Sequence, residues 1–256
     1  MERPAANRRT AKIIRSTAQT LTAFASLLLA GSLVGCDAAA NALEIIEPDS
    51  GIAADAPAPA GPASAAHAAS ALVQLAGIPV KGRAPKTGYA REEFGPAWAD
   101  VDRNGCDTRN DILARDLTNE TFKPGTNNCV VATGTLADKY TGTTISFTRG
   151  QDTSSDVQID HVVPLSDAWQ KGAQQLSVDQ RRQLANDPLN LLAADGPTNS
   201  AKGDKDAATW LPPNRAFRCE YVARQTAVKA KYSLWVTQAE HDALGSVLEA
   251  CSTMRR

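Results

Sequence analysis

Histidine, net charge, zinc-spaced cysteines and long apolar runs are all scarce in this sequence, and each scarcity excludes something. Only three of the 256 residues are histidine, namely His67, His161 and His241, so a reaction that needs a base near neutral pH has few candidates. Lys and Arg number 27 against 28 Asp and Glu, a formal charge of −1. That balance argues against both an arginine-rich nucleic-acid wrapper and an acidic solvating tail. Beyond the amino-terminal leader no apolar run reaches the roughly eighteen residues of a membrane span, so the body is not a multi-span membrane protein. None of the five cysteines falls in the Cys-x-x-Cys spacing that zinc sites favour. There is no internal repeat, and no helix-turn-helix or zinc finger to read a base sequence.

The amino terminus carries Arg3, Arg8, Arg9, Lys12 and Arg15 against the single acid Glu2, followed by an apolar run from Leu21 to Ala30. A charged segment and then a short apolar one is the pattern of an export signal. It closes on Leu33-Val34-Gly35-Cys36, which resembles the bacterial lipobox. That resemblance implies a lipoprotein signal peptide over residues 1–36, with Cys36 lipidated and the chain tethered to a membrane at the cell envelope. An ordinary signal peptide, with Cys36 incidental and the protein released, is the alternative. Residues 37–76 are rich in Ala, Pro, Gly and Ser and poor in aromatic and β-branched side chains, so they read as a disordered tether that cannot bury enough apolar area to offset ordering entropy. His67 lies inside this stretch without a visible partner.

With Cys36 set aside, Cys106, Cys129, Cys219 and Cys251 remain. An even number fits two disulfides and an oxidising compartment. Of the three connectivities, Cys106 with Cys129 and Cys219 with Cys251 is favoured, because each pair then lies within one local unit of the chain. The folded domain is placed at 77–256, and from Ile78 onward it holds 22 basic and 22 acidic residues. Any polyanion it binds must therefore be met by a local basic patch.

Within the domain, Thr108–Leu117 reads as a short helix behind an Asp107/Thr108 cap. Cys129–Leu136 and Thr143–Thr148 read as a β-hairpin around a Tyr-Thr-Gly turn, and Asp156–Val163 as a third strand ended by Pro164. A polar, glutamine-rich helical stretch follows through about Asn186. Near the carboxy end, Asn214 caps a helix with Phe217, Tyr221, Val228 and Tyr232 on one side. Thr237-x-x-Glu240 forms a capping box for a last helix, which carries His241 as a surface residue and lines its inner face with Leu244, Val247, Leu248 and Cys251. These are core stripes in an α+β fold.

The chemistry concentrates in Ile159-Asp160-His161-Val-Val-Pro164, Asn190-Leu-Leu192 and Thr198-Asn199-Ser-Ala-Lys202. Asp160 can hold a divalent cation while His161, with its near-neutral pKa, deprotonates a water. Asn199 adds a second hard oxygen ligand, and Lys202 lies one helical turn further on, placed to meet a phosphate oxygen. Together these side chains describe a phosphodiester hydrolase, with His161 as its base because the other two histidines lie in the tether and on the terminal helix.

In this order the motifs resemble those of the HNH, or ββα-metal, endonucleases. The similarity is greatest to the family related to the carboxy-terminal nuclease domain of the GmrSD restriction enzymes, including secreted bacterial members. It extends to Gly105–Leu113, Asp138-Lys-Tyr-Thr-Gly142, Ala185–Asn190, Lys202-Gly-Asp204 and Trp210-Leu-Pro-Pro213, and covers about residues 85–251. The resemblance implies a ββα-metal core in which Asp160 and Asn199 ligate the metal, His161 activates the attacking water, Asn190 holds the loop that orients His161, and Lys202 steadies the scissile phosphate or the leaving group. Asn199 in place of a third histidine favours Mg²⁺, or Mn²⁺, over Zn²⁺. DNA, or RNA, is then the partner, with low sequence specificity, and no protein partner is evident. The roughly two dozen residues between Val163 and Asp187 exceed what a ββα hairpin needs and read as an inserted helix.

Two weaker patterns remain. Arg109 and Arg149 flank the hairpin and are candidates for phosphate contacts or for surface salt bridges. Asp100-x-Asp102-x-Asn104-Gly105 with Asp111 in twelfth place mimics a calcium loop, although its last ligand is Asp where a bidentate Glu is usual. The rival function is an envelope lipoprotein that uses an inactive nuclease fold as a binding module. A toxin delivered into competitors shares the chemistry but has no delivery domain here.

Overall fold

The computed structural model describes residues 63–253, so the export signal, Cys36 and most of the expected tether lie outside the described residues. The first described element corrects the tether. Ala63–Ala76 forms helix α1, with Ala68, Ala71 and Leu75 buried along one face against two carboxy-terminal helices. The segment has few large apolar residues, which made it look unable to fold. Alanine, however, loses no side-chain entropy in a helix, and its small side chain lets two helices pack closely. The folded unit therefore extends back from residue 77 at least to Ala63.

Helix α2 (Thr108–Asp116) starts as expected, with the Asp107 carboxylate accepting from the Asn110 N–H. It runs directly into strand β1 (Leu117–Phe122), which pairs with β2 (Val131–Ala137); β2 in turn pairs with β3 (Thr144–Thr148), all antiparallel. Strand β1 escaped the sequence reading because Leu-Thr-Asn-Glu-Thr-Phe is mostly exposed and shows no apolar alternation. The turn between β2 and β3 is built around Asp138. One of its oxygens accepts from the Thr141 N–H and the other from the Asp195 N–H, while Gly142 sits at φ +77°, a left-handed conformation that side chains disfavour.

Strand β4 (Val157–His161) is followed by two short helices, α3 (Leu165–Gln170) and α4 (Val178–Asn186), then strand β5 (Leu191–Asp195) and helix α5 (Gly196–Lys202). The insertion is thus two helices joined by a 3₁₀ turn, where the sequence predicted one. β5 pairs antiparallel with β4, setting Asp160 opposite Leu192 and His161 opposite Leu191. Asp195 caps α5 by accepting from the Thr198 N–H. Gly196 is required there, since a Cβ would lie 2.0 Å from the Ser155 carbonyl oxygen. Helices α6 (Arg218–Lys231) and α7 (Gln238–Thr253) complete the fold. Among the described residues no helix is long and apolar enough to cross a membrane.

Alternation along β4 and β5 divides the interior. Val157, Ile159, Leu191 and Ala193 pack with α2 and the three-stranded sheet, while Leu192 and Ala194 face the cluster built by α1, α6 and α7. The two disulfides are those expected, Cys106–Cys129 and Cys219–Cys251. Closing loops of 23 and 32 residues, each stabilises by about 3–4 kcal/mol in the chain-entropy account.

A buried ionic network, invisible in the sequence, ties the helices together. The Lys171 ammonium meets Asp167, Asp206 and Glu240 at 2.7, 2.7 and 2.6 Å. Lys229 meets Glu240 at 2.9 Å and Asp167 at 3.4 Å, and Arg83 closes the set on Asp167 and Asp206. Three cations thus balance three anions. Glu240 was expected to complete a capping box with Thr237. Thr237 does accept from the Glu240 N–H, but the Glu240 carboxylate is spent on the two lysines.

Candidate functional site

At the end of the β4–β5 pair opens a polar cleft of about 400 Å³, whose lining includes Asp160, His161, Asn199, Arg91, Arg109 and Asp204. The Asp160-His161 dipeptide delivers two side chains, but not to one side of the sheet. Successive residues of a strand point to opposite faces, so Asp160 turns toward Tyr140 and Lys202 while His161 turns toward Trp98 and the end of α4. Both still border the cleft because they lie at the strand's end.

The Asp160 carboxylate is 5% exposed and held on both oxygens. Oδ1 accepts from Lys202 Nζ at 2.9 Å, and Oδ2 accepts a short hydrogen bond from the Tyr140 hydroxyl. Burial raises its pKa, and the neighbouring ammonium and hydroxyl oppose that rise. Tyr140 was missed as a site residue. Its only trace in the sequence is its place in the Asp-Lys-Tyr-Thr-Gly turn.

Lys202 departs most from expectation. Its side chain is fully buried, and its ammonium donates to Asp160 and to the His161 carbonyl at 2.8 Å. It therefore sits behind the Asp160-His161 dipeptide, bonding its backbone and its carboxylate, where the sequence had placed it on a phosphate. The i+3 spacing from Asn199 is right, but α5 is short and packs on β4 and β5, so its last residue turns inward.

The His161 ring is 8% exposed. Its Nε2 lies 2.9 Å from the Ala185 carbonyl oxygen, which only accepts, so Nε2 carries the proton and Nδ1 is the basic nitrogen. Nδ1 has no hydrogen-bond partner among the described residues. Burial pushes the pKa down to about 3, with Arg91 and Lys202 adding to the effect, so the imidazole is held neutral. Trp98 lies nearly parallel to it, ring centroids 6.0 Å apart.

Asn190 is fully buried. Its Oδ1 accepts from the Val163 N–H at 2.8 Å, and its Nδ2 donates to the Val163 and Leu184 carbonyls. It thus pins the segment just after His161 to the end of α4, the helix whose Ala185 carbonyl holds the imidazole. Asn199 donates to Gln158 Oε1 at 2.8 Å, which leaves its own carbonyl oxygen without a donor among the described residues.

The weaker candidates separate. Arg109 borders the cleft, donating to the Ser154 and Val157 carbonyls. Arg149 is turned inward onto Asn110 and the Val131 carbonyl. Neither forms a salt bridge among the described residues. His67 and His241 stand away from the cleft. In the calcium-like loop the carboxylates are engaged by the loop itself: Asp100 accepts from the backbone N–H groups of Asn104 and Gly105, and the Asn104 amide donates to Asp102 and Asp111. Among the described residues no three His, Cys, Asp or Glu side chains are grouped to hold a metal ion. An ion at Asp160 would accordingly have one anionic ligand, with amide oxygen and water for the rest. That hard-oxygen set suits Mg²⁺ or Mn²⁺, and a carboxylate with about four lone-pair sites, two of them engaged here, can still accept it.

The site also contains residues the sequence gave no reason to choose. Arg91, Trp98 and Gln158 border the cleft, as does Asp204 of the Lys202-Gly-Asp204 motif, and Arg91 and Trp98 come from a segment without regular pattern. No solved structure matches the chain significantly. A secreted protein of the fungus Arthroderma benhamiae, itself uncharacterised, is 38% identical over 202 residues, covering 78% of this chain and 93% of that one. Residues 107–247, more than half of the chain and the span that carries Asp160, His161, Asn190, Asn199 and Lys202, match the family described as GmrSD restriction endonucleases, C-terminal domain, and the chain belongs to that family.

Proposed function

We propose that the protein is an exported, metal-dependent endonuclease that hydrolyses phosphodiester bonds of DNA or RNA. The observation that carries this reading is the state of His161: a neutral imidazole with Nε2 fixed on a backbone carbonyl and, among the described residues, Nδ1 unengaged, at a cleft that also holds Asp160, Asn199 and two arginines that meet no carboxylate among those residues. The pair β4–β5 followed by α5 then serves as the ββα-metal core.

In this reading Asp160 and Asn199 would hold a divalent cation, which when bound stabilises negative charge on the phosphate and the leaving oxygen. The chain's own residues do the rest. Nδ1 of His161 takes a proton from the attacking water. A conjugate-acid pKa of about 3 makes a weak base, but the negative charge of a bound phosphodiester beside the ring favours the imidazolium and raises its basicity once substrate is present. Asn190 and Lys202 are positioning residues, since each bonds the backbone around His161. Arg109 and Arg91, which both border the cleft, meet phosphate oxygens.

Export is supported by the charged-then-apolar leader and by the secreted fungal relative. Lipidation at Cys36 remains part of the proposal; its test is whether Cys36→Ser moves the protein from the membrane pellet to the medium. The decisive experiment on function incubates the purified protein with plasmid DNA and with RNA, in Mg²⁺ or in EDTA. Cleavage in Mg²⁺, its loss in EDTA and a fall of about 10²–10⁴-fold in His161→Ala are expected. Undiminished cutting by that variant would remove His161 from the mechanism. A folded protein that cuts neither polymer would favour the binding-module alternative.

A further inference from the structure

Beside the cleft, on the far side of His161, lies a second and smaller space of about 170 Å³. Its walls are mostly apolar, including Phe94, Pro96, Trp98 and Leu165, and it is continuous with the cleft, because Arg91, Trp98, His161 and Leu165 border both. The imidazole thus stands at a divide between a polar side that carries Arg109 and a mostly apolar slot. Extending the nuclease reading, we propose that this slot seats one unstacked nucleobase of the strand being cut, so that the substrate is single-stranded or locally unpaired nucleic acid.

Four observations converge on that occupant. An apolar cavity of about 150 Å³ is enough for a benzene-sized ring, so the slot has room for one planar ring and too little for a paired base. Trp98 is a bulky residue at φ +57°, a conformation that persists only where surrounding structure enforces it and that tends to mark ligand clamps. Its indole lines the slot, and an indole is a ring on which single-stranded bases stack. Asn186, which lines the slot, is 1% exposed, and with Nδ2 donating to the Arg182 carbonyl its Oδ1 has no partner among the described residues. A buried acceptor left over in this way calls for a donor, which the amino or imino N–H of a base supplies. Finally, Arg91 borders both spaces, but Glu92 borders only the slot and Arg109 only the cleft, which steers the phosphate to the Arg109 side and the uncharged base to the other.

The wall formed by residues 91–98 precedes the span that matches the family. The slot thus combines that wall with His161, Leu165, Ala185 and Asn186 from within the matched span.

The test uses the whole disulfide-bonded protein, a single-stranded oligonucleotide, its duplex, and single strands in which one abasic position is walked along the sequence, all in Mg²⁺. Faster cutting of the single strand, and loss of cutting at the bond next to each abasic position, are expected. Trp98→Ala should raise KM for the single strand by about tenfold to a hundredfold, leave kcat within a few-fold and abolish the sensitivity to the abasic position, whereas Trp98→Phe should retain most of the preference. Duplex cut as fast as single strand, or indifference of the wild type to abasic positions, would overturn the slot. If Trp98→Ala does not fold, the abasic walk and Trp98→Phe decide alone. If no nucleic acid is cut, the hydrolytic reading fails separately; fluorescence anisotropy of labelled single and double strands in EDTA then judges the slot by whether single strands bind more tightly.

Discussion

Two regions of this molecule bury charge, and they do so to opposite ends. In the helical region, Lys171, Lys229 and Arg83 face Asp167, Asp206 and Glu240, and every charge is met by another. At the end of β4, one carboxylate meets one ammonium, an imidazole is kept neutral, and Arg91 and Arg109 have no carboxylate partner among the described residues beside an open cleft. A closed set of ion pairs has no capacity left for a ligand. An unbalanced set at a cleft has, and that difference marks the second region as the place for chemistry. A buried carboxylate alone would not have told the two apart.

The comparison is tested most severely by Lys171→Ala. It leaves three buried carboxylates with fewer cations and should destabilise the protein by about 3–5 kcal/mol in denaturant unfolding, with unchanged activity per folded molecule. A loss of activity beyond the loss of folded protein would link the two regions. Next in size is Lys202→Met, expected to cost about 1–3 kcal/mol in EDTA, because Asp160 keeps Tyr140 and gains access to cleft water. Since the ammonium and a divalent ion compete for one carboxylate, this variant should also be stabilised more by Mg²⁺ than the wild type is, as read by thermal shift.

Acid should weaken the site region through His161. Its folded pKa of about 3 lies below the ordinary 6.5, so its contribution is complete above pH 6.5 and is lost as pH falls toward 3, at up to about 1.4 kcal/mol per pH unit. His161→Gln should lack that part of the pH dependence of unfolding. In kinetics, the acid limb of kcat should lie at higher pH than that of kcat/KM, because bound phosphate raises the basicity of the ring; coincident limbs would contradict this. The smallest stability effect is expected for Asn199→Ala, about 0.5–1 kcal/mol for one half-buried hydrogen bond, accompanied by an activity loss that higher Mg²⁺ partly restores.

How far the sequence reached differs by element. The hairpin, β4, α2, α6 and α7 were legible because their apolar or β-branched residues recur at the period of the element that buries them. α1 and β1 were not, one because alanine carries little hydrophobic signal, the other because its side chains are mostly exposed. In the site, the Asp160-His161 dipeptide and the Asn199 and Lys202 positions stood out as motif residues. The opposed directions of Asp160 and His161, the burial of Lys202 and the role of Tyr140 did not.

What the sequence determined by itself was local: caps, strand alternation, the pairing of neighbouring cysteines, and which residue types stand at the motif spacings. Those depend on contacts between residues near in the chain. Tertiary structure alone decided which nitrogen of His161 is free, since Ala185 lies 24 positions away, and which charges are spent on one another, since Lys171 and Glu240 are separated by 69. Protonation and ion pairing are set by distances through space and by exclusion of water, and neither quantity is written in the order of the residues.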